Sequence, residues 1–361
     1  MQNIMVIGAG KIGSLIACLL NLHTKDCIFL ADISFETAEV KKLLAHLPNI
    51  QAISLDVTDE KATADSLKNN KITAVISSLP FYLNLHVARA ASQAKVTYFD
   101  LTEDTHVTEQ IGHLAQSTQN IFVPQCGLAP GFVGIVAHDL IEQFDECLHA
   151  HLRVGALPQF SRHLLHYSLT WSTEGVINEY GNLCEAIENG NVTTVKPLEG
   201  LEPLELDGDV YEAFNTSGGL GSLTKLYQNK IQTLNYKTIR YPGHNEKIRF
   251  LMNDLKLNDD RKTLKAILEK ALPRTYQDVV LIYVNAQGIE QDVLIEKSYV
   301  KKIYPQSIHA LNWSAIQVAT AAGVCAVMET VLKDKSLKGL VLQEQISLKA
   351  VLASSFGQYF A

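Results

Sequence analysis

Ile4-Met5-Val6-Ile7-Gly8-Ala9-Gly10-Lys11-Ile12-Gly13-Ser14-Leu15-Ile16-Ala17-Cys18-Leu19-Leu20 decides the fold. Four apolar residues of strand type enter a glycine turn, and a helix-like apolar run leaves it. That order is what a dinucleotide-binding strand–turn–helix requires. Gly8 permits the tight turn, Gly10 leaves no side chain in the way of a pyrophosphate, and Gly13 lets the helix pack closely on the strand. The free N–H groups and positive dipole end at the start of the helix favour phosphate. The next strand, Cys27-Ile28-Phe29-Leu30-Ala31, ends in Asp32, 19 positions beyond Gly13. An acid at that place accepts hydrogen bonds from the adenosine ribose. Asp32 repels a 2′-phosphate and Ile33-Ser34-Phe35 supplies no cation for one, so NAD is the expected cofactor and NADP the alternative.

Strand–helix alternation continues outward from this unit. Helices are expected over 35–47, 60–69, 82–94, near 106–118 and over 132–144. Strands are expected at Ala52–Leu55, Ala74–Leu79, Val96–Phe99 and Ile121–Pro124. The fold class is α/β: an N-terminal Rossmann-type doubly wound parallel sheet. In such sheets ligands bind beyond the carboxyl ends of the strands. The cofactor residues are therefore expected to be Gly8, Ala9, Gly10, Lys11, Ile12, Gly13, Asp32, Asp56, Val57, Leu79, Pro80, Gly127 and Leu128.

The pattern changes near residue 148. Strands are read at His149–Val154 and 164–172, a helix at Asn178–Glu188, and short β-prone runs over 190–250. A helix at Lys262–Leu272 places Leu264, Ile267, Leu268 and Leu272 on one face. Val279–Val284 is a strong strand, with Val293–Val300 as its antiparallel partner across Ala286-Gln287-Gly288. This half reads as an inserted α+β catalytic domain with a mostly antiparallel sheet. The helix Ser314–Leu332, with Ala319, Ala321, Ala322 and Gly323, is expected to return to the nucleotide domain. The expected division is 1–130 completed by 310–361, with 131–309 as the substrate domain.

Composition narrows the class. The 361 residues carry a formal charge of −7, with 47% hydrophobic and 19% charged residues, as in an ordinary globular protein. No dense basic cluster suggests nucleic acid. Residues 4–20 lack the length and flanks of a membrane span or a signal peptide. The six cysteines form no CxxC pair and no zinc spacing, so no metal is expected. They read as reduced thiols of a cytoplasmic protein, most of them small core residues, Cys126 included.

Four strings look too specific for scaffolding: CGLAPGF at 126–132, the run ending in Trp171-Ser172-Thr173-Glu174-Gly175, EAFNTSGG at 212–219 and YKTIRYPGH at 236–244. With the GAGKIG turn, in this order, they resemble the saccharopine dehydrogenase / L-lysine 6-dehydrogenase family over essentially the whole chain. The GLAPG form is similar to lysine 6-dehydrogenases; saccharopine reductases more often carry an acid where Ala129 stands. Leu169 and Asn215 occupy positions where the lysine 6-dehydrogenases tend to have histidine, and Leu101-Thr102-Glu103-Asp104 replaces a glycine-rich stretch. The resemblance implies hydride transfer from an amine-bearing carbon to a nicotinamide cofactor, leaving an imine that water hydrolyses. It implies oxidative deamination of lysine or a related amino acid, and a homodimer formed through the inserted domain. Reductive condensation of an aldehyde with an amino acid, or a non-catalytic NAD-binding regulator, are the competing readings.

Such chemistry needs a base for the substrate ammonium, a clamp for its carboxylate and polar groups to position an amine. His244 is the candidate base, because its intrinsic pKa lies near neutrality; a surface-loop histidine is the alternative. Arg240 is the candidate carboxylate clamp or else a structural ion-pair partner. Glu174 either orients the amine or caps a helix. Thr216, Ser217 and Gly218 are candidates for a backbone nest around a carboxylate, or form a plain turn. Glu103 and Asp104, at a strand end, either hold the amine or cap the helix that follows.

Overall fold

The structure, a computed structural model, describes residues 1–161 and 163–360, and every side chain among them but those of 38 and 39. The chain divides into two compact units: Met1–Phe132 with Ser307–Leu311 and Gln317–Ala361, and Val133–Gln306 with Asn312–Ile316.

In the first unit strands and helices alternate: β1 (Asn3–Ile7), α1 (Lys11–His23), β2 (Cys27–Asp32), α2 (Ala38–His46), β3 (Gln51–Ser54), α3 (Glu60–Asn69), β4 (Ala74–Ser77), α4 (Phe81–Ala94), β5 (Thr97–Asp100), α5 (Thr105–Gln116) and β6 (Phe122–Val123). The strands form one parallel sheet in the order β3-β2-β1-β4-β5-β6. β1 is central because Ile4, Met5, Val6 and Ile7 are apolar on both faces, and all four are buried. Strand order reverses between β1 and β4, which makes the end of β1 a topological switch point. The two-residue β6 is lengthened by the returning chain: Phe122 N–H donates to the Gly339 carbonyl (2.8 Å) and Val341 N–H to that of Phe122 (2.9 Å).

The second unit holds α6 (Phe132–Ile141, from its second residue), β7 (Glu146–Pro158), α7 (Thr173–Gly181), β8 (Cys184–Glu188), β9 (Asn191–Val195), β10 (Glu202–Leu206), β11 (Asp209–Asn215), α8 (Leu223–Tyr227), β12 (Thr233–Arg240), α9 (His244–Arg249), α10 (Arg261–Ala271), β13 (Asp278–Glu290) and β14 (Val293–Ile303). Its eight-stranded sheet runs β10-β11-β12-β7-β13-β14, with β8 and β9 paired beside β12. It is mixed rather than wholly antiparallel, because β12 lies parallel to β7.

Four sequence expectations change here. Residues 164–172 form no strand. Their alternation is genuine, since Leu165, Tyr167 and Leu169 bury into one apolar cluster with Val176, Phe214 and Leu264. Yet the backbone makes isolated bonds, His166 N–H to the His163 carbonyl and Leu169 N–H to that of Pro273, and not a ladder. The helix expected to run to Glu188 stops at Gly181, and β8 and β9 form a hairpin over Asn189-Gly190, both with positive φ (50° and 81°), a primed-turn pair. The β13–β14 turn is Gln291-Asp292, with φ of 52° and 62°, and not Ala286-Gln287-Gly288. Gly288 serves a close approach inside the strand, where a Cβ would lie 2.4 Å from the Glu146 carbonyl oxygen. Ile267 of α10 remains exposed while Leu264, Leu268 and Leu272 are buried.

α11 (Ala315–Lys333) starts on Asp278, whose buried carboxylate accepts from Ala315 N–H (2.6 Å) and Ile316 N–H (3.0 Å). It is long and apolar enough to cross a membrane, but most of it is buried within the protein. Gly323 brings α11 onto the CGLAPGF turn: a Cβ there would lie 2.9 Å from the Gly127 carbonyl oxygen.

The tightest contact in the first unit is testable. A Cβ on Gly13 would sit 1.8 Å from the Gly8 carbonyl oxygen. Gly13→Ala is expected to cost about 1–3 kcal/mol or more, read as a lower urea midpoint; an unchanged midpoint would refute the contact.

Candidate active site

The carboxyl ends of β1, β2 and β4 shape a phosphate cradle. Gly8, with φ of 104°, donates its N–H to the Ala31 carbonyl (2.8 Å). A Cβ on Gly8 would lie 2.7 Å from the Ser78 carbonyl oxygen and 3.2 Å from the Leu79 side chain. Above Gly10, by contrast, a Cβ would meet nothing within 4 Å. α1 opens at Lys11, Ile12 and Gly13 with no side-chain cap and no acid in its first turn, so its N-terminal dipole is uncompensated. This open floor fits a dinucleotide pyrophosphate. Ala9 donates its N–H to Asp32 Oδ2 (2.6 Å), and Ser34 N–H donates to Asp32 Oδ1 (3.1 Å).

The other expected cofactor residues lie along the same unit's strand ends. Asp56 accepts from the Thr58 backbone and hydroxyl, which hold its carboxyl below the usual range. Val57 is buried, Leu79 is half-buried, and Pro80 starts α4. Gly127 accepts from Phe132 N–H (3.0 Å) and Leu128 is buried. Beyond β5, Asp100 is fully buried and accepts from Thr102 N–H, Gln125 N–H and the Tyr98 hydroxyl. Burial pushes its carboxyl up, against those hydrogen bonds. Asp104 caps α5, accepting from Val107 N–H (2.8 Å). Glu103 is raised chiefly by burial, with Asp104 and Asp100 adding to the shift. Cys126 donates its Sγ–H to the Val123 carbonyl, and burial holds the thiol protonated, as a packing residue requires.

In the second unit the quoted motifs assemble around one cation. Arg240, at the end of β12, is 2% exposed. Its Nε donates to the Tyr180 hydroxyl (2.8 Å), its Nη1 to the Ile239 carbonyl (2.9 Å), and its Nη2 lies 4.0 Å from Glu179 Oε2. The guanidinium stands 5.0 Å from the Tyr167 ring centroid and 5.7 Å from that of Tyr180, within cation–π range. Burial opposes its charge, but Tyr180, Tyr167 and Glu179 together outweigh that penalty. Among the described residues the Thr216 hydroxyl is buried with no hydrogen-bond partner, a costly state unless a ligand supplies one, while the buried Tyr167 hydroxyl interacts with Thr170 and Trp171.

The glycines of these motifs seat aromatic rings. A Cβ on Gly175 would lie 2.2 Å from the Trp171 ring, and one on Gly219 would lie 2.4 Å from the Tyr236 ring. Glu212 accepts from Gly243 N–H (2.8 Å) and Asn245 N–H (2.6 Å), so the EAFNTSGG string holds the YPGH turn in place.

His244 is fully buried, which removes the surface-loop reading. Its Nδ1 is bonded to the Leu165 carbonyl (2.7 Å) and its Nε2 to the Tyr180 hydroxyl (3.0 Å). Burial, with Arg240 adding, lowers its pKa from 6.5 to about 3. Glu174 lies in the exposed first turn of α7, paired with Lys265, while Ser172 caps the helix; it serves the helix and not the buried cluster. Ser217 spends its N–H on the Glu179 carbonyl (3.1 Å) and its hydroxyl on that of Asn178 (3.1 Å). Ser217 therefore has neither donor to offer a carboxylate, and Gly218, with φ of 88°, completes the turn. Sequence reasoning missed Tyr167, Thr170, Glu179 and Tyr180. Only helical spacing, Glu179 and Tyr180 following WSTEG on one helix, hinted at two of them. Among the described residues no cluster fit for a metal occurs.

Residues 4–121 match the family model described as the saccharopine dehydrogenase NADP binding domain, and 127–356 that of the saccharopine dehydrogenase C-terminal domain. The chain belongs to the saccharopine dehydrogenase family. This saccharopine dehydrogenase-like chain is 23% identical over 308 residues to the saccharopine dehydrogenase [NADP(+), L-glutamate-forming] of Schizosaccharomyces pombe, covering 82% of the chain and 67% of that protein. The Saccharomyces cerevisiae protein of the same name is also 23% identical, with 81% and 66% covered. The matched region thus spans about two thirds of these relatives' length. The solved apo saccharopine dehydrogenase (L-Glu forming) from Saccharomyces cerevisiae shares the fold, with TM-score 0.79, 17% identity and 99% of this chain and 98% of that one covered.

These matches do not support NAD as the primary cofactor, since the domain model and both curated relatives carry NADP in their descriptions. Asp32 accepts one N–H at each oxygen, from Ala9 and Ser34, and keeps further lone pairs, so an acid at the end of β2 does not by itself select NAD.

The buried imidazole makes a pH prediction. Between pH 6.5 and about 3 the unfolded chain protonates His244 and the folded chain does not, so this group's contribution to stability is lost as pH falls through that window. The difference in unfolding free energy between the wild type and His244→Gln is expected to narrow by up to about 1.4 kcal/mol per pH unit on acidification. Parallel curves in urea titrations from pH 7 to 4 would refute the assignment.

Proposed function

We propose that this chain is an NADP(H)-dependent oxidoreductase acting on the carbon–nitrogen bond of a saccharopine-type substrate, a secondary amine joining two amino-acid parts. The observation that carries the reading is Arg240, buried as a charge, with its Nη2 edge beside Glu179. A guanidinium fork suits a carboxylate, and a nearby carboxylate suits an α-ammonium. Together they fit a zwitterionic amino-acid head.

Gly8 to Gly13 of the first unit would hold the dinucleotide, and its nicotinamide, when bound, would supply the hydride acceptor. Oxidation takes hydride from the carbon bearing the nitrogen while the nitrogen's proton passes to solvent, which leaves an imine. Water adds to that carbon and the C–N bond breaks, releasing an amino acid and an aldehyde. Arg240 fixes the carboxylate and Glu179 the ammonium, which holds the reacting bond in place.

Oxidative deamination of lysine is less well supported. Where lysine 6-dehydrogenases tend to carry histidines, Leu169 is part of the apolar cluster and Asn215 spends its Nδ2 on the Lys196 carbonyl. A homodimer and a cytoplasmic setting belong to the same proposal, the latter supported by six unpaired thiols.

Absorbance at 340 nm is expected to rise with NADP and saccharopine and to stay flat with NAD and lysine. Turnover of lysine with NAD would overturn the reading. Arg240→Lys is expected to raise KM for saccharopine roughly 10- to 100-fold, with the Kd for NADPH unchanged; an unaltered KM would remove Arg240 from the substrate site.

A further inference from the structure

Arg240 reaches solvent-free surroundings through a chain of hydrogen bonds whose proton order has one solution. The Leu165 carbonyl can only accept, so His244 Nδ1 carries the proton of their 2.7 Å contact. A neutral imidazole then has a bare Nε2, which accepts from the Tyr180 hydroxyl at 3.0 Å. With its proton turned to His244, the Tyr180 oxygen presents a lone pair to Arg240 Nε–H at 2.8 Å. The series runs Arg240 to Tyr180 to His244 to Leu165, donor to acceptor at every link. Aromatic rings enclose it: Phe214 stacks on His244 at 6.2 Å and 12°, and Tyr167 lies 5.3 Å from the same imidazole. The lowered His244 pKa agrees with a neutral ring throughout the working pH range.

Of the five N–H bonds of a guanidinium, this arrangement uses Nε and one on Nη1. The plane of Arg240 is thereby set by Tyr180 at one edge and by the Ile239 carbonyl, leaving the Nη2 edge turned toward Glu179. We propose that Tyr180 and His244 are positioning residues, a proton-ordered relay that holds the Arg240 fork in the one orientation that binds the substrate carboxylate. The proposal rests on the reading of Arg240 as the carboxylate clamp. His244 then acts through Tyr180 and takes no proton from the substrate.

Two measurements on the full-length protein test it. The first is hydrogen exchange of the Arg240 Nε–H in 15N-arginine-labelled protein, with the resonance assigned by its loss in Arg240→Lys. Exchange is expected to be strongly protected in the wild type and at least 10-fold faster in Tyr180→Phe. Equal exchange in the two would overturn the relay whatever the enzyme turns out to oxidise.

The second is the steady state with saccharopine and NADP. Tyr180→Phe and His244→Phe are expected to raise KM at least 10-fold with kcat changed less than 3-fold, and His244→Gln, which keeps an acceptor for Tyr180, to recover most of that loss. In an Arg240→Lys background Tyr180→Phe should add less than 2-fold, because the orientation it protects is already gone. Multiplying effects would overturn the positioning role. Loss of the acidic limb of the kcat/KM pH profile in His244→Gln would instead make His244 a general base and sink the proposal. Wild-type protein that turns over no saccharopine removes the proposed reaction, and the exchange rates alone then decide the relay.

Discussion

A guanidinium almost wholly removed from water must be answered from every side, and the second unit is arranged to answer it. Arg240 cannot relieve its burial by losing a proton. The stretch around Tyr167 forgoes a ladder so that its ring can lie against the cation. α7 contributes Glu179 and Tyr180 from consecutive positions, β11 brings Phe214, and the YPGH turn delivers His244 from below. They come from four different elements, so the position of one charge constrains four separate backbone paths. An isolated buried charge would cost several kcal/mol; here polar partners and π faces offset that cost.

The first unit solves the opposite problem. It has to leave backbone uncovered where a polyanion can settle, and it does so with absent atoms. Gly8 and Gly13 are pressed against neighbouring main chain while the space over Gly10 stays clear. The same three-glycine spacing serves closeness at two positions and vacancy at the third. Asp32 belongs to this turn as a brace, its carboxylate tied to Ala9 and Ser34.

The parts of the fold that could be read in the sequence are those whose signals are local. GAGKIG with its flanking apolar runs, the alternating elements to residue 123 and the α11 helix are all written in contiguous residues. The second unit was harder to read where identical patterns have two physical outcomes. Alternation at 165, 167 and 169 buries side chains with or without a ladder, and Gly288 marks a close approach as readily as a turn. The site itself was half legible: Arg240 and His244 stand in a distinctive string, but what His244 does depends on burial and on Tyr180, 64 positions away. Unpartnered hydroxyls such as that of Thr216 leave no trace in a sequence, because the lack of a partner is a property of the packed state.

The returning chain also sets an order of events. β6 gains its outer neighbour only at Gly339–Val341, and the CGLAPGF turn gains its backing only at Gly323. On a ribosome, residues 133–306 have emerged before either of these arrives. The inserted unit can therefore close first, and the nucleotide unit, although it begins the chain, is the last to be completed, reversing the usual N-to-C order of domain folding. Until then its sheet carries an unfinished edge next to β6, the kind of edge that invites pairing with foreign strands.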